Sequence, residues 1–218
     1  ATMSFDVVLR SIFSAVFFAS VLRISTPIIL AALGGLITEL SGAINIALEG
    51  IMLVSAFTGV VVSAYLHNTL LGVLAGIAAG VLIAALLGYF ALYLKANIIL
   101  AGTAINILAT GGTIFLLYVL TGDKGNSSTL ASGMAPNVHI PLIKEIPFIG
   151  TVLSGHHIFV YLAFVLTALL ATLLYRTRLG THIRAVGENP VAAASLGIDV
   201  RKTQLIALLI SGFLASFG

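Results

Sequence analysis

The feature that most constrains this chain is a stretch, residues 50–94, that contains no Asp, Glu, Lys or Arg. A bilayer core about 30 Å thick requires roughly 20 apolar residues for each spanning helix. The charge-free stretch is long enough for two such helices, and a short polar turn at 65–69 separates them. Because lipid is the solvent that suits an uncharged run of this length, the sequence predicts a membrane protein.

The composition of the whole chain agrees with this interpretation. Hydrophobic residues make up 60% and charged residues 8%, whereas a soluble domain normally has about a quarter of its residues charged. The absence of cysteine excludes disulfides and thiolate metal sites. The adjacent His156 and His157 are interpreted as an interfacial turn rather than as metal ligands. The net charge of +3 is attributed to cytoplasmic loops beside the lipid bilayer, and no nucleic-acid partner is expected.

Charges and breaks divide the chain into about seven apolar segments. Only helices or closed barrels satisfy backbone hydrogen bonds in lipid, and these segments lack the alternation of barrel strands. We therefore predict an all-α, polytopic transmembrane bundle that forms one domain over 1–218. The run from 203 is uncharged but short for a span, so we expect the N-terminal part of a longer chain. The segments cover residues 7–22, 24–37, 44–64, 70–94, 98–120, 158–175 and 205 onward.

The first two segments are the least regular. Each is short for a span, and Pro27, Gly34 and Gly35 lie within the second. Proline removes a backbone donor and glycine weakens a helix. The pattern predicts a tilted, broken or re-entrant path before residue 39.

Basic residues near the helix ends predict the orientation. Five of them lie in the loop 176–202, whereas the loop 121–157 contains Lys124 and Lys144 alone. Basic loops face the cytoplasm, so 176–202 is predicted to be cytoplasmic and 121–157 external. Alternation then places Lys95 and the break at 39–42 inside and the turn at 67–68 outside.

Small residues recur at every fourth position of segment 70–94. They line one helix face and would let a neighbouring backbone approach closely. We interpret the stripe as a packing surface, with a sliding surface in a moving bundle as the alternative. Its members are Gly72, Gly76, Gly80, Ala84 and Gly88.

Polar side chains share one face of the next segment, at Thr103, Asn106, Thr110 and Thr113. Such a face is not expected to meet lipid. It is interpreted either as a set of interhelical hydrogen bonds, each typically worth about 0.6 to 2 kcal/mol, or as the wall of a solute pathway. One residue can serve both purposes.

The region 39–50 sets Glu39, Asn45 and Glu49 into apolar surroundings. An acid at a helix centre costs about 2.5 to 3.5 kcal/mol. If the region is helical, Asn45 and Glu49 lie on one face. Three interpretations stay open: a hydrated Glu49 near the cytoplasmic start of its helix, favoured by the helix dipole; a structural polar cluster; or a site on a transport path. The candidate pathway residues are Asn45, Glu49, Thr103, Asn106 and Thr110.

The loop 176–202 contains the signals of a short helix. Asn189 is a good N-cap, Pro190 suits the first helical position and Gly197 suits the residue after the end. These residues predict a cytoplasmic helix about 10 Å long. Because so short a helix is marginal alone, we expect it to pack on another element or another protein.

Two runs carry a family resemblance. The first is RAVGENP at 184–190, with Ala192, Ala193, Gly197 and Ile198 following, and the second is SGAINIALEG at 41–50. With both runs in this order, the chain resembles the branched-chain amino acid and simple-sugar permease family of bacterial ABC importers, particularly its nucleoside and simple-sugar branch. The resemblance implies a multi-pass permease of the bacterial cytoplasmic (inner) membrane, which is not itself an enzyme.

The same resemblance implies partners and roles. The permease would pair with a second permease, identical or different, with two ATPase subunits and with an extracellular or periplasmic substrate-binding protein. The chain would bind no cofactor, since ATP and Mg²⁺ would lie on the ATPase. Alternating inward and outward opening would carry the solute. The residues that the resemblance assigns to coupling with the ATPase are Arg184, Gly187, Glu188, Asn189, Pro190, Ala192, Ala193 and Leu196.

Other functions are weighed against this one. An ion-coupled secondary transporter would titrate Glu49 or Glu39, but it would not need the capped cytoplasmic helix. An intramembrane enzyme is disfavoured because the chain has no His-Glu-x-x-His motif. A nucleotide site is not expected either, because the run 122–128 lacks the spacing of a Walker A loop. A hydroxyl- and amide-lined face favours a neutral polar solute such as a nucleoside or sugar. Branched-chain amino acids are not excluded by the residues.

Overall fold

The computed structural model describes residues 15–122, 137–138 and 156–218. Within these ranges the chain is almost entirely helical, as predicted, and five helices are long and apolar enough to span a membrane. A π-helical segment, Tyr89–Tyr93, continues α3, and the two-residue strands Asn137–Val138 (β1) and His156–His157 (β2) pair antiparallel. The helices are α1 (Ala15–Leu40), α2 (Leu48–Leu66), α3 (Thr69–Gly88), α4 (Ile98–Thr121), α5 (Ile158–Arg176), α6 (Arg178–Glu188), α7 (Pro190–Ser195) and α8 (Val200–Ala215).

The predicted division between the first two segments is wrong. One helix, α1, runs from Ala15 to Leu40 through both Arg23 and Pro27. Arg23 lies exposed on the surface of this helix, where a long basic side chain can extend toward water. Thr26 donates a hydrogen bond from Oγ1 to the Leu22 carbonyl at 2.8 Å, so polar groups around the proline are partly satisfied within the helix. Residues 7–14 lie outside the described ranges.

The small-residue stripe on α3 is a packing surface. A Cβ atom added at Gly72 would lie 2.7 Å from the Gly59 carbonyl oxygen, and one added at Gly76 would lie 2.8 Å from the Ser55 carbonyl oxygen. At the other end, a Cβ atom at Gly88 would lie 2.6 Å from the Leu205 side chain of α8. A four-residue step turns about 40° around a 3.6-residue helix. The stripe therefore winds from α2 to α8 and joins three helices.

Two contacts define one end of the bundle. Gly88, near the end of α3, packs against Leu205 in the first half of α8. Gly187, in α6, packs against the carbonyl group of Leu40, the last residue of α1. The break after α1, the connection at 94–97 and the α6–α7 region therefore lie at the same end, as the predicted alternation requires. The Phe159 and Phe217 rings, 6.2 Å apart between centroids, lie at the opposite end.

The loop 121–157 was predicted to be external. Most of it, residues 123–136 and 139–155, lies outside the described ranges. Its described part includes Gly122, which ends α4 in a left-handed conformation with φ of 78°. The assignment of this loop to the outer face of the membrane stays a prediction.

Buried apolar clusters anchor the short helices to the bundle. One cluster joins Ile37 of α1, Leu170 and Leu174 of α5 and Ile183 of α6. Val186 of α6 is also fully buried. Because Ile183 and Val186 are three residues apart, they share one helix face. Helix α6 therefore lies against the spanning helices through an apolar stripe and keeps its other face outside.

Candidate functional site

The short helix α7 has the local signals that the sequence predicts. The Asn189 Oδ1 atom accepts hydrogen bonds from the backbone N–H groups of Val191 at 3.1 Å and Ala192 at 3.0 Å. Pro190 is the first helical residue, and Gly197 follows the helix with φ of 82°. The cap satisfies N–H groups that a helix start leaves without a partner. The N-cap, the first position and the terminating glycine are confirmed.

One side of α7 faces away from the rest of the chain. Ala193 is 2% exposed, whereas Val191 is 76% exposed and Leu196 is 81% exposed. Ala192, Ser195 and the capping Asn189 are exposed as well. Val191 in α7 and Leu196 directly after it are thus two large apolar side chains left exposed at a capped helix, and exposed apolar groups of this kind mark sites that a partner covers.

Arg184 differs from a freely solvated surface charge. Its guanidinium lies over the Tyr175 ring, 5.2 Å from the centroid, which is cation–π distance. Its Nε atom is buried and has no hydrogen-bond partner among the described residues. The Arg184 side chain also borders a cleft of about 520 Å³ that Glu39, Thr181 and Glu188 line as well. The guanidinium is therefore held between α5 and α6, and its side chain borders the same cleft as two acidic residues.

Asn45 and Glu49 would share a face only if the region were helical, and that condition is not met. Residues 43–46 are not helical, and α2 begins at Leu48. Gly42, with φ of 74°, turns the chain in a conformation that suits glycine. The segment 41–47, named here the break, therefore runs between α1 and α2 without regular structure.

Asn45 is buried within the break, and both ends of its side-chain amide are engaged. Its Nδ2 atom donates to the Ser211 Oγ at 2.9 Å, and its Oδ1 accepts from the Ala47 N–H at 3.0 Å. Its own N–H donates to the Thr38 Oγ1 at 3.3 Å. Asn45 thus ties the break to α8 through its side chain and to α1 through its backbone N–H.

Both carboxylates of this region lie near helix ends rather than at a helix centre. Glu39 is the penultimate residue of α1, Glu49 is the second residue of α2, and both are exposed. An acid in the first turn of a helix is stabilised by the helix dipole. The geometry matches the interpretation of Glu49 as an exposed residue at the helix start, and the assumed cost of an acid at a helix centre does not apply.

The polar face of α4 divides into two kinds of residue. Asn106 bridges helices, because its Oδ1 accepts from the Gly50 N–H at 2.8 Å and its Nδ2 donates to the Ile46 carbonyl at 2.9 Å. Thr103 and Thr110 are exposed, and each hydroxyl donates to a carbonyl of its own helix. Thr113 does the same. Interhelical hydrogen bonding is therefore observed for Asn106 and not for the three threonines.

Sequence reasoning missed the partners of the break. Ser211 of α8 is fully buried and meets Asn45, 166 residues away in the chain. Gln204 of α8 donates from Nε2 to the Ser41 carbonyl at 3.2 Å. Thr38 is also fully buried. The available signal was the presence of these polar residues in apolar segments, but no local pattern pairs them.

A cavity of about 280 Å³ lies at the opposite end of the bundle, between α2, α3 and the residues after α8. None of the predicted pathway residues lines it. The Ser55 hydroxyl, which does, is buried without a hydrogen-bond partner in the part of the chain that the structure describes. Over those same residues, no three His, Asp or Glu side chains are grouped as metal ligands would be.

The known proteins that this chain resembles are permease components of transport systems. Residues 17–218 match the family described as branched-chain amino acid transport system / permease component. The chain is 35% identical over 204 residues to the guanosine ABC transporter permease protein NupQ of Bacillus subtilis. These residues cover 89% of this chain and 62% of the relative. It is 35% identical over 209 residues to the nucleoside ABC transporter permease protein NupC of Lactococcus lactis, with 92% and 64% covered.

A third relative is named for a different solute. The putative glucose ABC transporter permease protein TsgC13 of Haloferax volcanii is 34% identical over 205 residues, which cover 92% of this chain and 60% of the relative. The chain thus spans about three fifths of the length of these relatives. No solved structure matches it significantly. The family match over 17–218 covers the spanning helices, the break and the α6–α7 region together, and the chain therefore belongs to the branched-chain amino acid transport system / permease component family.

Proposed function

We propose that this chain is the permease subunit of an ATP-driven importer in a bacterial cytoplasmic membrane. It carries a small polar solute, a nucleoside or a simple sugar, by alternating access. It works with a second permease subunit, with ATPase subunits that hold ATP and Mg²⁺, and with a substrate-binding protein outside the membrane. The chain itself binds no cofactor and performs no hydrolysis.

The observation that carries this proposal is the exposed face of α7. Val191 and Leu196 are 76% and 81% exposed on a helix whose cap and buried Ala193 hold it in one orientation. Large apolar side chains on a short, ordered cytoplasmic helix favour a protein partner, since lipid is out of reach at a loop and water is a poor solvent for them. An ATPase surface that accepts this helix couples hydrolysis to movement of the bundle.

The nucleoside or sugar assignment has two supports. The relatives are named for guanosine, nucleoside and glucose transport. The exposed hydroxyl groups of Thr103 and Thr110 on α4 also suit a neutral solute that is bound by hydrogen bonds rather than by charge. Among the candidate pathway residues, Glu49, Thr103 and Thr110 keep exposed side chains, whereas Asn45 and Asn106 are occupied by protein contacts.

The alternative is an ion-coupled secondary transporter that titrates Glu49 or Glu39. A coupling acid of that kind usually faces the interior of a bundle or a water-filled cavity within the membrane. Both glutamates are exposed and lie near helix ends. This position suits residues at a membrane boundary and removes the main reason for the alternative.

The test uses the complete importer reconstituted in lipid vesicles, with substrate-stimulated ATP hydrolysis and uptake measured together. Asn189→Leu removes a cap typically worth about 0.5 to 2 kcal/mol and should lower both activities. Leu196→Glu places a charge on the exposed face without touching the bundle and should have the same effect. Asn189→Ser is the matched control, because serine is an equally good cap.

Full stimulation and full uptake with both Asn189→Leu and Leu196→Glu would refute the coupling role of α7. Uptake that needs an ion gradient and no ATP would favour the secondary transporter instead. Arg184→Glu adds information on α6, since it reverses a charge held against Tyr175. This variant should also uncouple ATP hydrolysis from solute transport.

The external loop 121–157 is proposed as the contact for the substrate-binding protein, because it is longer than the joining of two helices requires. Deletion of residues 127–134, which lie outside the described ranges, should impair delivery of solute and leave assembly with the ATPase intact. Normal uptake after this deletion would count against the contact.

A further inference from the structure

Gly187 of α6 lies against backbone atoms at the end of α1 and the start of the break. A Cβ atom added at Gly187 would meet the Leu40 carbonyl oxygen, and it would lie 3.4 Å from the Gly42 nitrogen. On the other side, a Cβ atom at Gly42 would lie 3.5 Å from the Gly187 Cα. Backbone cannot move aside as a flexible side chain can. A displacement of the end of α6 therefore acts directly on the break.

The break is bonded to the helices on either side of it. Asn45 joins it to the Thr38 hydroxyl of α1 and to the Ser211 hydroxyl of α8. Gln204 of α8 adds a bond to the Ser41 carbonyl, and its Nε2 would lie 3.8 Å from a Cβ at Gly42. The break is thus held to α1 and α8 at the same place where α6 touches it.

The far end of the break is bonded to α2 and α4. Asn106 of α4 holds the Ile46 carbonyl and the Gly50 N–H, one on each side of the start of α2. A Cβ atom added at Gly102 would lie 3.1 Å from the Ile46 Cβ, so α4 also approaches the break closely. A movement of the break must therefore shift the start of α2 and the adjoining part of α4 with it.

Burial makes this connection stiff. Thr38, Ser41, Asn45 and Ser211 are all at most 4% exposed. A buried polar group that leaves its partner finds no water to replace it, so exchange of partners is costly. Close-packed interiors with such bonds have discrete arrangements and do not deform continuously.

We propose that Gly187 and Gly42 are positioning residues that transmit movement of α6 and α7 through the break to α2 and α4. The inference rests on the proposed function, in which an ATPase moves α7. It adds the route within the membrane domain: the backbone contact at Gly187, the break, and the asparagines Asn45 and Asn106. Gly187 has this role because only a residue without a side chain allows the contact.

The test is Gly187→Ala in the complete reconstituted importer, with solute taken up per ATP hydrolysed as the readout. The added methyl group must push α6 away from Leu40, and the ratio should fall about fivefold, the lower end of typical coupling effects. Gly35→Ala is the matched control, because its Cβ would make only an ordinary contact, 3.5 Å from the Leu48 side chain. This control should keep the wild-type ratio.

A second variant tests the same route in case Gly187→Ala does not fold. Gln204→Met removes the bond to the Ser41 carbonyl while keeping a side chain of similar length, and it should lower the same ratio about twofold. Assembly with the ATPase and the melting temperature are measured for every variant. A simple loss of stability would lower the amount of complex but would not change uptake per ATP hydrolysed.

The outcomes separate the two proposals. If the assembled Gly187→Ala importer keeps the wild-type ratio, the transmission route is refuted and the importer function stands. If Gly187→Ala does not assemble, Gln204→Met decides: a lowered ratio supports the route and an unchanged ratio refutes it. If wild-type uptake requires no ATP, the proposed function fails and the route fails with it.

Discussion

The helix α3 interface and the break hold the bundle together in opposite ways. At the α3 stripe, glycines bring the backbones of neighbouring helices into contact. At the break, irregular backbone is held by buried side-chain hydrogen bonds from three other helices. Helices in lipid can therefore approach each other closely in two ways. The first needs only small residues at a fixed spacing. The second needs a partner for every polar group.

The largest expected effect comes from filling the stripe. Gly76→Leu would press a side chain against the Ser55 carbonyl, which a Cβ atom alone would already approach to 2.8 Å. Gly76 also borders the cavity of about 280 Å³, but the added Cβ itself meets backbone that cannot move aside. Overpacking typically costs about 1 to 3 kcal/mol and occasionally more, and contact with fixed backbone favours the upper end. Thermal unfolding in detergent should show a large loss of stability and yield.

The control for this change is Gly112→Leu, because a Cβ atom at Gly112 would meet nothing within 4 Å among the described residues. It should unfold close to the wild-type temperature. Equal losses for Gly76→Leu and Gly112→Leu would break the comparison, since the stripe would then be no tighter than an open helix surface.

The next effect is expected from Asn45→Leu in the break. It leaves the Ala47 N–H without its side-chain partner and the Ser211 hydroxyl without a donor, and a buried group left unsatisfied costs about 1 to 3 kcal/mol. The measurement is again thermal unfolding, now with Ser211→Ala and the double variant. Because the two residues share one hydrogen bond, their losses should be less than additive. Strict additivity would mean that the observed bond contributes nothing.

A smaller effect is expected on α4, where Asn106→Leu should lower stability by about 1 kcal/mol per lost interhelical bond. Thr110→Val serves as the contrast, since the Thr110 hydroxyl donates to the Asn106 carbonyl of its own helix. Thr110→Val should leave the melting temperature nearly unchanged. If it lowers uptake at unchanged stability, the exposed face of α4 lines the solute pathway. If neither variant changes stability or uptake, both interpretations of this face are wrong.

The smallest effect is expected from Ser55→Ala. This hydroxyl lies beside the stripe and has no partner among the described residues. Its removal should leave stability unchanged or raise it slightly, because an unsatisfied buried polar group is a cost in itself. A loss of more than about 1 kcal/mol in thermal unfolding would show that the stripe, like the break, depends on a polar contact.

The predictable parts of the candidate site are those with local causes. The Asn189 cap, Pro190 and Gly197 act within a few residues of α7, so their order in the chain predicts the helix. The stripe from Gly72 to Gly88 requires only a spacing. Asn106 was identified as a polar residue, but its bonds to Ile46 and Gly50 could not be, because they join segments about 60 residues apart and depend on how the helices cross.

The amino-acid sequence was sufficient to predict a helical membrane protein, the spanning helices from residue 48 to 176 and the capped helix in the basic loop, but it did not predict α6. Hydropathy, charge placement and capping act over short distances along the chain. Only the tertiary structure decided that α1 passes unbroken through Arg23 and Pro27, that Asn45 lies in a non-helical break, and that Gly187 touches Leu40. The last two depend on a neighbour distant in sequence, because a buried polar group or an unsubstituted backbone takes its conformation from the partner that folding brings to it.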